Sequence, residues 1–183
     1  FDIDEDALGT ADQFGATTAS SIGDLAEHLD PPRRIWLMLP AGDTVDAALD
    51  DLEPYLLDAD IVVDGGNSPF KESIRRAGRL QSAYLDAGVS GGPAGAEHGF
   101  SLMVGGPQWA FEEFEPIFES VATGPDGVEH MGPAGAGHYV KMVHNGIEYA
   151  IMQSLGEGFE LLAEGRYDLD LEAVARTWNN GSV

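Results

Sequence analysis

The 183-residue chain has no cysteine, which excludes a disulfide framework and any cysteine-ligated zinc centre. Lysine is almost missing as well. Lys71 and Lys141 are the only two, and 9 basic residues face 32 acidic ones for a formal net charge of −23. A field of that sign repels nucleic acid and anionic lipid, so neither is an expected partner. No apolar run approaches the roughly 20 residues that span a bilayer, and no basic-then-apolar leader opens the chain. A cytoplasmic protein is the expectation, and no metal site is expected. A GxGxxG phosphate-cradling turn is also lacking.

The acids are scattered (Asp46, Asp50, Asp51, Glu53, Asp58, Asp60) rather than gathered into a tail. Apolar content is ordinary at 43%, so disorder does not explain the charge. A surface rich in Asp and Glu and poor in Lys resembles that of proteins from salt-loving organisms, where dense salt screens self-repulsion. An ordinary acidic protein is the plainer alternative.

Short apolar segments alternate with helical patterns. RRIWLML from Arg33, IVVDGGNS from Ile61 to Ser68, and AYLDAGVSGG from Ala83 each read as a buried strand running into a turn. Val45, Leu49, Leu52 and Leu56 mark a helix between the first two, and a charged helix spans Pro69 to Ser82. Strands without polar alternation predict a parallel sheet covered on both faces. FSLMVGG from Phe100, a helix from about Gln108 to Glu119, and an edge strand at Val128 to Gly132 complete this layer. From His138 to Gly165 the chain carries no proline, predicting a helix far longer than the mean of about 11–12 residues. A second helix is expected at Leu171 to Trp178, with Asp170 as its cap. The fold expected is α/β: an incomplete Rossmann-like, doubly wound sheet at 1–132, then the start of an all-helical domain at 133–183.

Ligands of open parallel sheets bind outside the carboxyl ends of the strands. Three turns occupy that position: Leu39-Pro40-Ala41-Gly42, Gly65-Gly66-Asn67-Ser68 and Gly88-Val89-Ser90-Gly91-Gly92. Singly each is plain turn geometry; three in register point to a site. Phe1-Asp2, followed by helix formers, resembles the end of the second strand of a dinucleotide-binding unit, where an acid holds the ribose hydroxyls. A frayed terminal acid is the alternative reading of Asp2.

The strongest signal lies on the long helix. Lys141, His144, Asn145 and Glu148 fall at i, i+3, i+4 and i+7, one face of a helix, amid Val140, Met142, Val143, Ile147, Ile151 and Leu155. A solvated face is the simpler account of such a stripe. A protein that otherwise avoids lysine yet keeps one among apolar residues favours a site. Lys141 would serve as a base once burial and the helix N-terminus depress its pKa, and Glu148 as an acid kept protonated in an apolar setting.

Together, Gly65 to Ser68 (GGNS), Gly88 to Gly92 (GVSGG), Leu102 to Gly106 (LMVGG) and Gly137 to Tyr149 (GHYVKMVHNGIEY) resemble the 6-phosphogluconate dehydrogenase family, in order and spacing over nearly the whole chain. His144 and Glu148 are similar to the decarboxylating branch of the wider β-hydroxyacid dehydrogenase superfamily. The resemblance implies oxidative decarboxylation of 6-phosphogluconate to ribulose 5-phosphate and carbon dioxide with reduction of NAD or NADP. It implies Lys141 as the base, Glu148 as the acid, and substrate contacts at Asn67, Ser90, Gly91, Gly92, His144, Asn145 and Tyr149. Cofactor contacts are implied at Pro40, Ala41, Gly42 and Asn67, with Leu39 of the same turn and, by its position alone, Asp2 as further cofactor candidates. An acid at Asp2 repels a 2′-phosphate and so tilts the expectation toward NAD. A homo-oligomer, dimer or tetramer, is implied too.

Pro40, where long members carry lysine, and the loose PAGAEHG segment (Pro93 to Gly99) resemble the shorter branch. The family's first strand and glycine fingerprint are expected upstream of Phe1, and its later helices and phosphate-binding arginines beyond Val183. Two competing readings stand beside this one: a non-decarboxylating dehydrogenase of the 3-hydroxyisobutyrate type, in which Glu148 has no work, and an inactive structural module.

Overall fold

A computed structural model describes residues 1–181 of the chain; the last two residues of the expected helical domain, 182 and 183, lie outside the described residues. The chain divides into two compact units, Phe1–Met142 and Val143–Val183. The strands and helices expected from Arg33 onward are present, preceded by helices α1 (Glu5–Gln13) and α2 (Ile22–His28), the second of which is not foreseen from the sequence: β1 (Arg34–Leu37), α3 (Asp43–Leu52), β2 (Ile61–Asp64), α4 (Phe70–Arg79) and β3 (Ala83–Ser90). There follow α5 (Gly95–His98), β4 (Ser101–Gly105), α6 (Gln108–Val121), β5 (Val128–Gly132), α7 (Ala136–Ala163) and α8 (Leu171–Trp178).

In the first unit the five strands form one sheet in the order β1-β2-β3-β4-β5. Pairs β1/β2, β2/β3 and β4/β5 are parallel. The β3/β4 pair is antiparallel, with Asp86 opposite Gly105 and Ser90 opposite Ser101, which corrects the expectation of a wholly parallel sheet. The reason is length: residues 91–100 hold only a short turn and α5, whereas a parallel crossover takes about a dozen residues or more.

Alternate residues of the strands feed two cores, one on each face. Val62 and Tyr84 join Ile35, Leu37 and the α3 residues Val45, Leu49 and Leu52. Ile61, Val63, Leu85 and Val104 join Phe111, Phe114 and Phe118 of α6. Each fully buried side chain of this size contributes about 1.5–3 kcal/mol. Trp36 packs edge-on against Phe114 and Phe118, with ring centroids 5.9 and 5.1 Å apart. Asp60, counted from sequence among the surface acids, is instead fully buried and paired with Arg33 at 3.0 Å.

No strand forms at Phe1-Asp2 among the described residues. The Asp2 carboxylate accepts the Asp4 N–H at 2.9 Å, and Asp4 caps α1. A strand persists only through ladder bonds to a neighbour, and none of the described strands pairs with this segment.

Helix α7 belongs to both units, and α8, capped by Asp170 through the Ala173 N–H, lies wholly in the second. Among the described residues no helix is long and apolar enough to cross a membrane.

Candidate functional site

The carboxyl ends of β1, β2 and β3 bring the three glycine turns to one edge of the first unit, and a buried ionic network ties the first two together. Arg76 of α4, fully buried, donates to the Gly42 carbonyl at 3.0 Å, to Ser68 Oγ at 2.9 Å and to Asp64 at 3.2 Å. Its other face grips both oxygens of Asp46, at 3.1 and 3.0 Å. That grip by Arg76, reinforced by Arg75, holds the Asp46 carboxyl down at about 2. Asp64 also accepts the Gly66 N–H and the hydroxyls of Ser68 and Tyr84. Burial, and then Asp64, push the Tyr84 phenol well above its usual value, so it remains a donor.

Within this frame, Leu39 and Gly42 are half-buried while Pro40 and Ala41 are exposed. Gly42 occupies the N-cap of α3 at φ 108°, a left-handed conformation, and leaves the first helical N–H groups without a side-chain acceptor. Gly66 lies so close to the Leu39 carbonyl that a Cβ would come within 2.3 Å of it. Asn67, at φ 54°, spends both ends of its amide on Val89: Oδ1 accepts the N–H at 3.0 Å and Nδ2 donates to the carbonyl at 3.2 Å. It clasps the β2 and β3 turns to each other. Gly91 and Gly92 are exposed, both at positive φ.

Lys141 reaches this edge from α7. It is 7% exposed, and Nζ donates to Ser90 Oγ at 2.9 Å. Room for it exists because residue 88 is glycine; a Cβ there would stand 2.5 Å from the Lys141 Cβ. An amine inside a protein, held against a hydroxyl, is a group that can exchange a proton with a bound alcohol.

In the second unit His144 Nδ1 lies 3.2 Å from Asn145 Oδ1 and 3.7 Å from Glu148 Oε2. Together with Ile147, Ile151 and Met152, His144 and Glu148 line a shallow groove of about 330 Å³. The Glu148 side chain is 54% exposed and Tyr149 is 68% exposed. The apolar enclosure expected around Glu148 is therefore not formed by its own unit, whose apolar side chains Ile147, Ile151 and Leu155 are themselves exposed.

Sequence reasoning missed the acids that organise the edge. Asp64 and Asp86, each at the end or middle of an apolar strand, are fully buried, and so is Arg76. A charged residue inside an apolar strand is the signal that would have found them. Among the described residues no cluster of His, Asp and Glu is placed to hold a metal ion.

Known families match the chain in two parts that meet in the first turn of α7. The family model described as the NAD binding domain of 6-phosphogluconate dehydrogenase matches residues 1–139, and that of the 6-phosphogluconate dehydrogenase C-terminal domain matches residues 137–183. An NAD(+)-dependent, decarboxylating 6-phosphogluconate dehydrogenase of Haloferax volcanii is 67% identical over the whole chain, which spans 61% of that protein's length. The solved 6-phosphogluconate dehydrogenase of Plasmodium falciparum, described in apo form, with its cofactor NADP+ and with its substrate 6-phosphogluconate, superposes with a TM-score of 0.84 at 34% identity, covering 97% of this chain and 40% of that one. A 3-hydroxyisobutyrate dehydrogenase of Salmonella typhimurium shares the fold, with a TM-score of 0.82 at 22% identity, over 99% of this chain and 63% of that one.

Proposed function

The chain belongs to the 6-phosphogluconate dehydrogenase family, and on that premise we propose that the protein oxidatively decarboxylates 6-phosphogluconate to ribulose 5-phosphate and carbon dioxide, with NAD or NADP as hydride acceptor. The observation that carries this reading is the buried Lys141 amine on Ser90, at the turns that end β2 and β3.

The residues present suit a dinucleotide. Leu39, Pro40, Ala41 and Gly42 make a small-residue turn with the N-cap of α3 open, and nothing lies within 4 Å of a Cβ built on Gly42. When bound, the cofactor accepts the hydride leaving C3 of the sugar acid. Lys141 takes the proton of the C3 hydroxyl as the C3–H bond gives up its hydride and the C3–O bond becomes a ketone, then returns a proton to the keto oxygen while the carboxylate departs as carbon dioxide. Glu148 protonates C1 of the resulting enediol. Asn67, Ser90, Gly91, Gly92, His144 and Asn145 hold the substrate, and Tyr149 its phosphate. The Haloferax volcanii relative, named NAD(+)-dependent, supports NAD as the preferred cofactor, and Asp2 is the residue of this chain assigned to the ribose.

The same reading makes 1–132 the cofactor domain and 133–183 the start of the substrate domain. It makes the protein a cytoplasmic homo-oligomer, a dimer or tetramer. Exposed Ile147, Ile151, Leu155 and Leu161 support that assembly, since apolar side chains in such number are usually covered by protein. Sedimentation of the full-length protein tests it; a monomer at all concentrations would contradict it.

The deciding assay offers the full-length protein 6-phosphogluconate and 3-hydroxyisobutyrate in turn, following reduced cofactor and carbon dioxide together. Equal yields of both products from 6-phosphogluconate are expected. Reduced cofactor from 3-hydroxyisobutyrate without gas release would place the protein among the non-decarboxylating enzymes and leave Glu148 idle.

A further inference from the structure

Asp86 sits in the interior of β3, fully buried, and takes no part in the chemistry above. A buried acid needs donors, and it finds both on the backbone where α7 begins. Oδ1 accepts the N–H of Gly135 at 2.6 Å, and Oδ2 that of His138 at 2.8 Å. Gly135 immediately precedes α7 and His138 lies in its first turn, where a helix leaves its donors unsatisfied. The cap is thus supplied by a strand distant in sequence, and it sets a carboxylate at the positive end of the helix. Burial pushes the Asp86 carboxyl up, against the pull of the two backbone donors.

The same turn is held twice more. His138 Nδ1 shares a hydrogen bond of 2.8 Å with Ser73 Oγ of α4, both side chains being buried. Gly137 lies directly on the sheet: a Cβ there would come within 2.2 Å of the Asp86 carbonyl and 2.4 Å of the Met103 carbonyl. One turn further along α7 comes Lys141. Its partner Ser90 lies four residues beyond Asp86 on the same face of β3. One face of one strand therefore fixes the start of the helix and receives the amine that the helix carries.

Small errors of rotation matter here. Turning a helix by about 10° moves a side chain at its surface, some 5 Å from the axis, by about 1 Å. A displacement of that order at a reacting group costs about a hundredfold in rate.

We propose that Asp86, assisted by the Ser73–His138 pair, is a positioning residue that fixes the rotation of α7 and so holds the Lys141 amine on Ser90. It acts through the lysine and touches neither substrate nor cofactor. The proposal rests on the reading of Lys141 as the base, and the test separates the two.

Asp86→Asn, Ser73→Ala and Lys141→Met are made in the full-length protein and assayed with 6-phosphogluconate and cofactor. Asparagine keeps the size of Asp86 but turns an NH2 toward a backbone N–H; alanine removes only the tie to His138. The expected result is a kcat lowered about thirtyfold or more in Asp86→Asn and about threefold in Ser73→Ala, with KM for the cofactor within about twofold of wild type. A purely structural role would lower the melting temperature and leave kcat per folded protein unchanged in both variants, and that result overturns the proposal. Should Asp86→Asn not fold, Ser73→Ala decides alone: a full kcat refutes, a reduced kcat at unchanged cofactor KM supports. Full turnover in Lys141→Met would sink the base assignment itself. Loss of turnover there with full turnover in Asp86→Asn would sink only the positioning role.

Discussion

Substituting Gly88 by alanine puts the contact between helix and sheet under direct strain. The new Cβ would stand 2.5 Å from the Lys141 Cβ and 3.0 Å from the Gly137 carbonyl, against the 3.4 Å at which ordinary contact begins. The shortfall at the lysine is 0.9 Å, and both neighbours are carried by α7, so neither can swing aside alone. The first turns of the helix must lift from β3 by nearly that amount, which takes Nζ beyond hydrogen-bond reach of Ser90 Oγ, now 2.9 Å away. Overpacking of this kind costs about 1–3 kcal/mol in stability. The displacement of a reacting amine by about 1 Å lowers kcat about a hundredfold. Both quantities are measurable on the same sample: a melting curve, and initial rates of cofactor reduction at saturating 6-phosphogluconate. A Gly88→Ala protein whose kcat stays within twofold of wild type would show that the distance between α7 and β3 does not govern the chemistry, and the case for Lys141 would lose its geometric basis.

Lys141→Ala is expected to lower kcat by several orders of magnitude, whereas Glu148→Gln should let oxidation proceed and stall the protonation that releases product; single-turnover reduction of cofactor separates the two, and equal losses in both would contradict the division of labour. The Asp46 carboxyl, held at about 2 by Arg76 against an unfolded value of 3.8, contributes stability that is complete above pH 4 and lost as pH falls toward 2. That amounts to roughly 2 kcal/mol. Acid unfolding of wild type should show the loss in this window and Asp46→Asn should lack it; identical curves would refute the assignment. With 32 acids against 9 basic residues, the melting temperature should climb between 0.1 and 1 M KCl, as the screening length shrinks from about 10 to about 3 Å. A melting temperature indifferent to KCl would mean that self-repulsion is not a significant cost.

Several features could be read from residue order because they depend on local periodicity. The spacing of Val45, Leu49 and Leu52 marked α3, and these side chains are buried against the sheet, whereas Leu56, counted with them, lies beyond the helix end at Leu52. Proline-free sequence after Gly137 marked α7, and Asp170 was identifiable as the cap of α8. The oddness of Lys141 was equally visible, a lysine kept where the rest of the chain avoids them. Its partner was not. Ser90 lies 51 positions away, and only the pairing of strand and helix brings the two together. Glu148, by the same spacing argument, was expected in an apolar setting, yet its side chain is more than half exposed. Helical periodicity says which residues share a face but not what covers that face.

The sequence by itself determined the segments, the glycine turns at the strand ends and the surplus of acid, since each is written in neighbouring residues. Tertiary structure alone decided that β4 runs against β3, that Asp60, Asp64 and Asp86 lie inside rather than on the surface, and that Arg76 binds two turns into one edge. An acid looks the same in a string of letters whether water or a guanidinium meets it. What distinguishes the two cases is the cost of burying charge, and only packing across the sheet reveals where that cost is met.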